Sequence, residues 1–256
     1  MAVRWGKRAA DLSRAEQAAR EGFDFLQLAG DLAGTWSDAE FRDQEARLAG
    51  SGIPVAVGAV PLPAEVRVTQ RGFNLYVWME HLKKALQRLA GLGCRQLLWA
   101  DGRARVLPVE GEQAALKEQA LQFLFLLCEA AGHLDMKVLV EPLGPRRTNF
   151  LNSPKEIGDL FPRVGKENLS CAISLRELQP MGLGPADLAG YRELIAHVQL
   201  ENPLAAEGPR VCPRPDDGCD YGPFLQALKD MGYAGAVCLP EDADAAGLAY
   251  CRGLWG

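Results

Sequence analysis

The sequence predicts a fold of the α/β class, a single (β/α)8 TIM barrel that spans residues 1–256. Short apolar runs typical of strands alternate eight times with longer helical stretches. Strands separated by helices imply parallel pairing through right-handed crossovers, and eight such units in about 250 residues favour a closed barrel. None of the strands is followed by a glycine-rich phosphate loop, which argues against a cofactor site of the Rossmann type. No linker divides the chain, so we predict one domain.

The first half of the chain supplies four of the eight units. A helix begins at the capping box of Ser37 and Glu40, in which hydroxyl and carboxylate satisfy free backbone amides, and it ends at Gly50 and Gly52. Strands are predicted at residues 2–5, 23–28, 53–57 and 95–99, and further helices at 11–21 and 73–89.

The second half repeats the same alternation. Ser153, Pro154 and Glu156 are typical of a helix start, with an N-cap, a proline in the first turn and a capping glutamate. Apolar residues at helical spacing within 112–131 predict a helix with a stripe that faces the core. Strands are predicted at 136–141, 169–175, 195–200 and 236–239, and the remaining helices at 185–193, 221–231 and 243–251.

The composition excludes several classes of function. Apolar residues make up 48% and charged residues 24% of the chain, which is typical of a globular protein. A net charge of −5 argues against a nucleic-acid partner, because such proteins carry basic faces. The longest apolar run is too short to cross a bilayer, so we expect no membrane partner, and the absence of a signal-peptide core predicts a cytoplasmic protein. The seven cysteines lack CxxC spacing and are interpreted as buried, reduced thiols.

Reactive groups of such a barrel lie at the carboxyl ends of its strands and in the loops that follow them. His197, Gln199 and Glu201 share one parity, so they point to the same side of the seventh strand. Asp101, Arg103 and Arg105 follow the fourth strand and are further candidates for the rim. The other polar candidates are Glu141, Arg146, Arg147, Thr148 and Asn149 after the fifth strand, Ser174 and Glu177 after the sixth, and Glu241 and Asp242 after the eighth.

Several segments carry a resemblance to a known family. They are GFDFLQL at 22–28, ADGRARVLP at 100–108, LVEPLGPRRTNFLNSPKEI at 139–157, IAHVQLENP at 195–203 and DYGPFLQALKDMGYAGAVCLPED at 220–242. Over nearly its whole length the chain resembles the xylose isomerase-like TIM barrels, which include sugar isomerases and epimerases and, more distantly, endonuclease IV. The resemblance implies intramolecular isomerisation or epimerisation of a sugar as the family activity. Three histidines are too few for the multi-metal cluster of the endonucleases.

The resemblance also implies a divalent cation held by a Glu, an Asp, a His and a Glu on strands five to eight, with both Glu residues serving as the acid and base. These positions fall on Glu141, Ser174, Gln199 and Pro240, so that only Glu141 is retained. Nearby, Glu177 replaces a family histidine and Arg147 replaces a family glutamate.

A hard divalent ion prefers several anionic oxygen ligands, which a serine hydroxyl and a glutamine amide do not supply. The first hypothesis is therefore a diverged member that uses no metal cofactor, lacks metal-dependent isomerase activity and binds a small carbohydrate-like ligand through Arg147, Asn149, Glu177, His197 and Gln199. The alternative is an active isomerase or epimerase that uses Mg or Mn. In the alternative a one-residue shift puts Glu241 in the place of Pro240, Glu141 and Glu241 are catalytic, and His197 and Gln199 complete the site.

A further hypothesis concerns the positive charge that is missing when the family's cation is lost. A guanidinium beside Glu141 supplies a fixed positive charge and can hold a carboxylate or phosphate through two parallel hydrogen bonds. Arg147 is the candidate for this role, because it stands in the loop where the family carries a glutamate.

Overall fold

Eight parallel strands close into a barrel, which confirms the predicted (β/α)8 architecture. A computed structural model describes residues 3–29, 31–205 and 208–256 of the chain. The strands pair in chain order, and the last pairs with the first. They are β1 (Arg4–Ala9), β2 (Phe25–Leu28), β3 (Val55–Ala59), β4 (Gln96–Trp99), β5 (Lys137–Val140), β6 (Leu169–Ser174), β7 (Ile195–Gln199) and β8 (Ala236–Leu239).

Helices connect the strands and pack around the barrel. Both predicted helix caps are confirmed, since Ser37 accepts a hydrogen bond from the Glu40 amide at 3.2 Å and Ser153 accepts one from the Glu156 amide at 3.1 Å. The helices are α1 (Ala15–Arg20), α2 (Leu32–Thr35), α3 (Asp38–Ser51), α4 (Leu75–Gly91), α5 (Gln113–Gly132), α6 (Pro154–Val164), α7 (Leu175–Leu178), α8 (Gly222–Asp230) and α9 (Ala245–Trp255).

Three details differ from the sequence predictions. The first strand was predicted at 2–5, of which Ala2 lies outside the described residues, but β1 continues to Ala9. The sequence pattern did not indicate this continuation, because the added residues include polar ones such as Lys7. In the structure Lys7 pairs with Glu21 at 3.1 Å on the outer side of the strand. The helix predicted at 185–193 is a 3₁₀ helix at Pro185–Tyr191, consistent with the low helix propensity of Gly190 within it. The short helices α2 and α7 were not predicted.

The barrel interior is apolar in its lower part and polar above. Phe25, Leu98, Leu139 and Ala172 belong to the apolar interior cluster. A Cβ atom at Gly6 would come within 2.1 Å of the Phe25 ring, so glycine in β1 lets this ring fill the interior. Because side chains alternate along a strand, the residues two positions further on face the upper interior. These are Arg8, Gln27, Glu141 and Ser174.

Two further features concern single elements. Within the described ranges, no helix is both long enough and apolar enough to pass through a lipid bilayer. All seven cysteines are unpaired, and six of them are buried as the sequence predicts, whereas Cys219 is partly exposed.

Candidate functional site

A chain of hydrogen bonds crosses the upper interior of the barrel between four buried side chains. His197 Nε2 donates to Gln27 Oε1 at 2.8 Å, because this amide oxygen can only accept. Gln27 Nε2 donates to Gln199 Oε1 at 3.2 Å, and Gln199 Nε2 donates to Glu141 Oε2 at 2.7 Å. The chain therefore has one direction, from the imidazole to the carboxylate, and each amide is oriented by its neighbours.

His197 is a neutral hydrogen-bond donor in this arrangement. Burial, together with the positive charge of Arg4, lowers the pKa of its imidazole to about 3. Its Nδ1 is buried without a hydrogen-bond partner in the part of the chain that the structure describes. The ring thus orients Gln27 and carries no charge at neutral pH.

Arg210 lies at the centre of the polar layer. Its Nη1 donates to both carboxylate oxygens of Glu201, and its Nη2 lies 3.6 Å from Glu141 Oε1. The Ser174 hydroxyl also donates to Glu201. The loop between β7 and α8 that carries Arg210 is held in place by Asp242, which accepts a hydrogen bond from the backbone amide of Cys212 at 2.9 Å.

The charges in this layer depend on one another. Burial raises the pKa of the Glu141 carboxyl, and the guanidinium of Arg210 partly offsets this effect. Burial also opposes the charged form of Arg210, but Glu201 and Glu141 together outweigh it and raise the pKa of the guanidinium. Arg210 is therefore a fixed cation, and its charge partly compensates the cost of removing two carboxylates from water.

The arrangement does not suit the divalent cation that the resemblance implied. Gln199 presents its N–H group to Glu141 while its Oε1 accepts from Gln27, so its amide oxygen is turned away from Glu141, and Ser174 contributes only a neutral hydroxyl. Pro240 has no side-chain donor atom, and a dication beside the Arg210 guanidinium would be repelled. No three His, Cys, Asp or Glu side chains among the described residues are grouped to hold a metal.

A cavity of about 600 Å³ opens at the carboxyl ends of the strands, a volume typical of a small-molecule site. Its wall combines apolar side chains, including Leu28 and Trp99, with five arginines and two aspartates. The charged residues are Arg8, Arg103, Arg146, Arg147, Arg210, Asp31 and Asp101. A second, more open cavity of about 580 Å³ shares three of these arginines and adds Arg14, Arg176, Glu241 and Asp242.

Among the predicted site residues, Arg147 lines both cavities. Its Nε lies 2.8 Å from Glu177 Oε1, while Glu177 Oε2 accepts a hydrogen bond from the Gly144 amide at 2.9 Å. The guanidinium beside Glu141 is thus Arg210 and not Arg147, which corrects the hypothesis of the sequence analysis. The reason is that Glu177, in α7 directly after β6, binds Arg147 instead.

The other predicted residues are dispersed. The Asn149 side chain accepts from the Leu107 amide at 2.8 Å and donates to its carbonyl at 2.9 Å, so it connects two loops. Glu241 is exposed and lines the second cavity. Within the described ranges, the wall of the 600 Å³ cavity does not include the predicted residues Glu141, Glu177, His197 and Gln199, which lie buried.

Sequence reasoning missed three residues that connect the buried layer to the cavity or line it. Gln27 stands two positions after Phe25, so strand parity would have placed it at the rim. Arg8 would have been found in the same way had the first strand been extended. Arg210 lies in a loop without periodicity, and no local signal marks it. Arg105, a rim candidate, is fully buried and donates to the Glu141 carbonyl.

The fold and the position of the cavity define a (β/α)8 barrel with an open cavity at the carboxyl ends of its strands. The pattern of the family described as "Xylose isomerase-like TIM barrel" matches residues 15–249. The chain belongs to this family.

Similar proteins include sugar-converting enzymes. A "Putative hydroxypyruvate isomerase" of Xenopus laevis is 26% identical over 162 residues, which are 61% of this chain and 57% of that protein. The chain thus spans little more than half the length of this relative. The crystal structure of D-psicose 3-epimerase in the presence of D-fructose has a TM-score of 0.81 at 15% identity and covers 99% of this chain and 100% of its own. That of 3-keto-D-glucoside 4-epimerase from E. coli has a TM-score of 0.78 at 15% identity, with coverage of 98% and 99%.

Proposed function

We propose that this chain binds a small carbohydrate-like ligand in the 600 Å³ cavity without a divalent metal, and that it lacks the metal-dependent isomerase or epimerase activity of its family. The observation that carries the proposal is the position of Arg210. Its guanidinium lies against Glu141 and Glu201, so the charge that these carboxylates would offer to a metal is already partly compensated.

The chemistry of the family reaction supports this proposal. Moving a proton on a carbon next to a carbonyl requires a base, an acid and a positive charge that stabilises the enediolate. Glu141 is the retained glutamate, but it is fully buried and its two oxygens face Gln199 and Arg210. A base in this position has no path to a substrate carbon in the cavity.

The ligand class rests on the cavity and on the relatives. Polar groups such as Gln27 alternate with the apolar surface of Trp99 and Leu28, a combination that suits the hydroxyl groups and the carbon skeleton of a sugar. The names of the relatives refer to D-psicose, to a keto-glucoside and to hydroxypyruvate, all small and oxygen-rich molecules. The cytoplasmic location inferred from the sequence stays a prediction.

The experiment measures ligand and metal binding separately. Saturation-transfer NMR on EDTA-treated protein uses D-fructose, D-psicose and hydroxypyruvate as probes, and equilibrium dialysis measures Mn²⁺. We expect at least one probe to bind in EDTA, and added Mn²⁺ neither to raise its affinity nor to interconvert D-fructose and D-psicose. Binding of one Mn²⁺ per chain from micromolar solution would favour the alternative, an active enzyme with a rebuilt metal site. Failure of all three probes with and without Mn²⁺ would reject the ligand class.

Two variants test the role of Arg210 itself. Arg210→Ala removes the positive charge beside Glu141 and Glu201, so it should bind Mn²⁺ more tightly than the wild type does. Arg210→Lys keeps a cation at the same position and should resemble the wild type. Equal and undetectable Mn²⁺ binding by all three proteins would show that Arg210 is not what keeps the metal out.

A further inference from the structure

One arginine of the cavity differs from its neighbours. Arg8, at the end of β1, is half-buried, and no residue that the structure describes forms a hydrogen bond or an ion pair with its guanidinium. In contrast, Arg103 lies 3.3 Å from Asp101, Arg147 pairs with Glu177 and Arg210 pairs with Glu201. The positive charge of Arg8 therefore lacks a direct counter-charge within the described part of the protein.

The position of Arg8 makes this charge available to a ligand. Arg8, Arg147 and Arg210 line both large cavities, so the three residues form the wall that the cavities share. The wall of the larger cavity contains five arginines and only two carboxylates, Asp31 and Asp101, and Asp101 is already paired with Arg103. The wall of the larger cavity therefore presents more guanidinium groups than carboxylates, because Glu177 and Glu201, which pair with Arg147 and Arg210, are buried and do not line it.

The surroundings of Arg8 disfavour its charge as long as no anion is bound. Burial lowers the pKa of its guanidinium, and the neighbouring charge of Arg210 lowers it further. A bound anion would offset both effects, because it replaces lost hydration with charge-assisted hydrogen bonds.

We infer that Arg8 receives an anionic group of the ligand, a carboxylate or a phosphate, and that Arg147 and Arg210 add positive charge from the same wall. The inference rests on the proposed function and narrows its ligand class to sugar acids and sugar phosphates. A guanidinium suits these groups because its planar N–H donors match two oxygens of a carboxylate or phosphate. In this arrangement the sugar portion lies along the apolar side of the cavity, near Trp99 and Leu28.

The test compares one neutral and two anionic probes by calorimetry at constant ionic strength. We expect D-gluconate or D-fructose 6-phosphate to bind more tightly than D-fructose, and the stronger of the two identifies a carboxylate or a phosphate site. Arg8→Gln should lower the affinity for that anionic probe by about tenfold to about a hundredfold, the equivalent of a lost hydrogen bond to a charged group. Its effect on D-fructose should be much smaller.

Two controls separate binding from folding and from overall charge. Arg20→Gln removes one charge from an exposed pair on α1, where Arg20 lies 3.5 Å from Glu16, and should leave all three affinities unchanged. The free energy of unfolding of Arg8→Gln should equal or exceed that of the wild type, because no bonded partner of Arg8 is lost. A merely structural role for Arg8 would instead lower it.

The outcomes distinguish the two proposals. If D-fructose binds as tightly as both anions and Arg8→Gln changes none of the affinities, the inference is wrong and the proposed function stands. If none of the three probes binds, the inference fails, and the binding of D-psicose and hydroxypyruvate then decides the proposed function separately.

Discussion

Two buried carboxylates, Glu141 and Glu201, lie against the guanidinium of Arg210, and this arrangement governs the chemistry of the barrel mouth. An arginine differs from a metal ion because it neither exchanges nor polarises a carbonyl as a Lewis acid. It also stays charged at all pH values relevant to a cell. The carboxylates of the buried layer thus already lie against a permanent positive charge, while the cavity above the layer can still admit a ligand.

The clearest pH effect at the residue scale concerns His197. The pKa of its imidazole is about 3 in the folded protein and 6.5 ordinarily, so between these values the unfolded chain binds a proton that the folded chain does not. Stability is therefore present above pH 6.5 and falls as the pH drops below it. In urea unfolding, the wild type should lose about 2 kcal/mol more than His197→Gln between about pH 7.5 and about pH 5.

A control variant and a contrary result test the predicted pH effect of His197. His133→Gln removes an exposed histidine at the end of α5 and shows what the loss of an imidazole does elsewhere. Glu141, whose pKa is raised, contributes to the pH profile of wild type and variant alike, so the difference between the two isolates His197. Parallel pH profiles for the wild type and His197→Gln would contradict the assignment of a neutral, buried ring.

At the scale of single elements, most of the barrel follows from local signals. The capping residues Ser37 and Ser153 mark helix starts because each satisfies a backbone amide that the helix itself leaves free. β8 has the bounds that the sequence predicts, since four apolar residues stand between turns. β1 was predicted too short because Lys7 and Arg8 are polar for reasons outside the strand. Lys7 pairs with Glu21 at the end of α1, and Arg8 faces the cavity.

The close approach between β1 and β2 is sensitive to a single substitution. Gly6→Ala would place a Cβ atom 2.1 Å from the Phe25 ring, which can move only within a filled interior. Overpacking of this kind costs about 1 to 3 kcal/mol, measurable as a lower urea midpoint. Gly50→Ala is the matched control, because it lies in α3 with no atom within 4 Å of the added Cβ, and it should raise stability by about 0.5 to 1 kcal/mol. Equal midpoints for the two variants would show that the Phe25 ring moves without cost.

At the scale of the whole molecule, the candidate site combines residues that are far apart in the sequence. Arg8 lies near the end of β1, Glu141 follows β5 and Arg210 lies in the loop after β7. Strand parity predicts which residues of a strand reach the rim, and on that basis His197, Gln199 and Glu201 were identified. A loop has no such parity, so the contact of Arg210 with two carboxylates follows only from closure of the barrel. For the same reason Arg147 was matched with the wrong carboxylate.

Closure of the barrel also joins the two ends of the described chain. β1 pairs with β8, and Trp255 at the end of α9 packs edge to face against the buried Trp5 with ring centroids 6.4 Å apart. Trp255→Ala should therefore lower the free energy of unfolding by about 1 to 3 kcal/mol and alter the fluorescence of Trp5. Tyr76→Ala removes an aromatic ring that is 79% exposed and should change stability by less than about 0.5 kcal/mol. If both variants unfold at the urea midpoint of the wild type, packing of α9 does not contribute to closure, and pairing of β1 with β8 alone holds the two ends together.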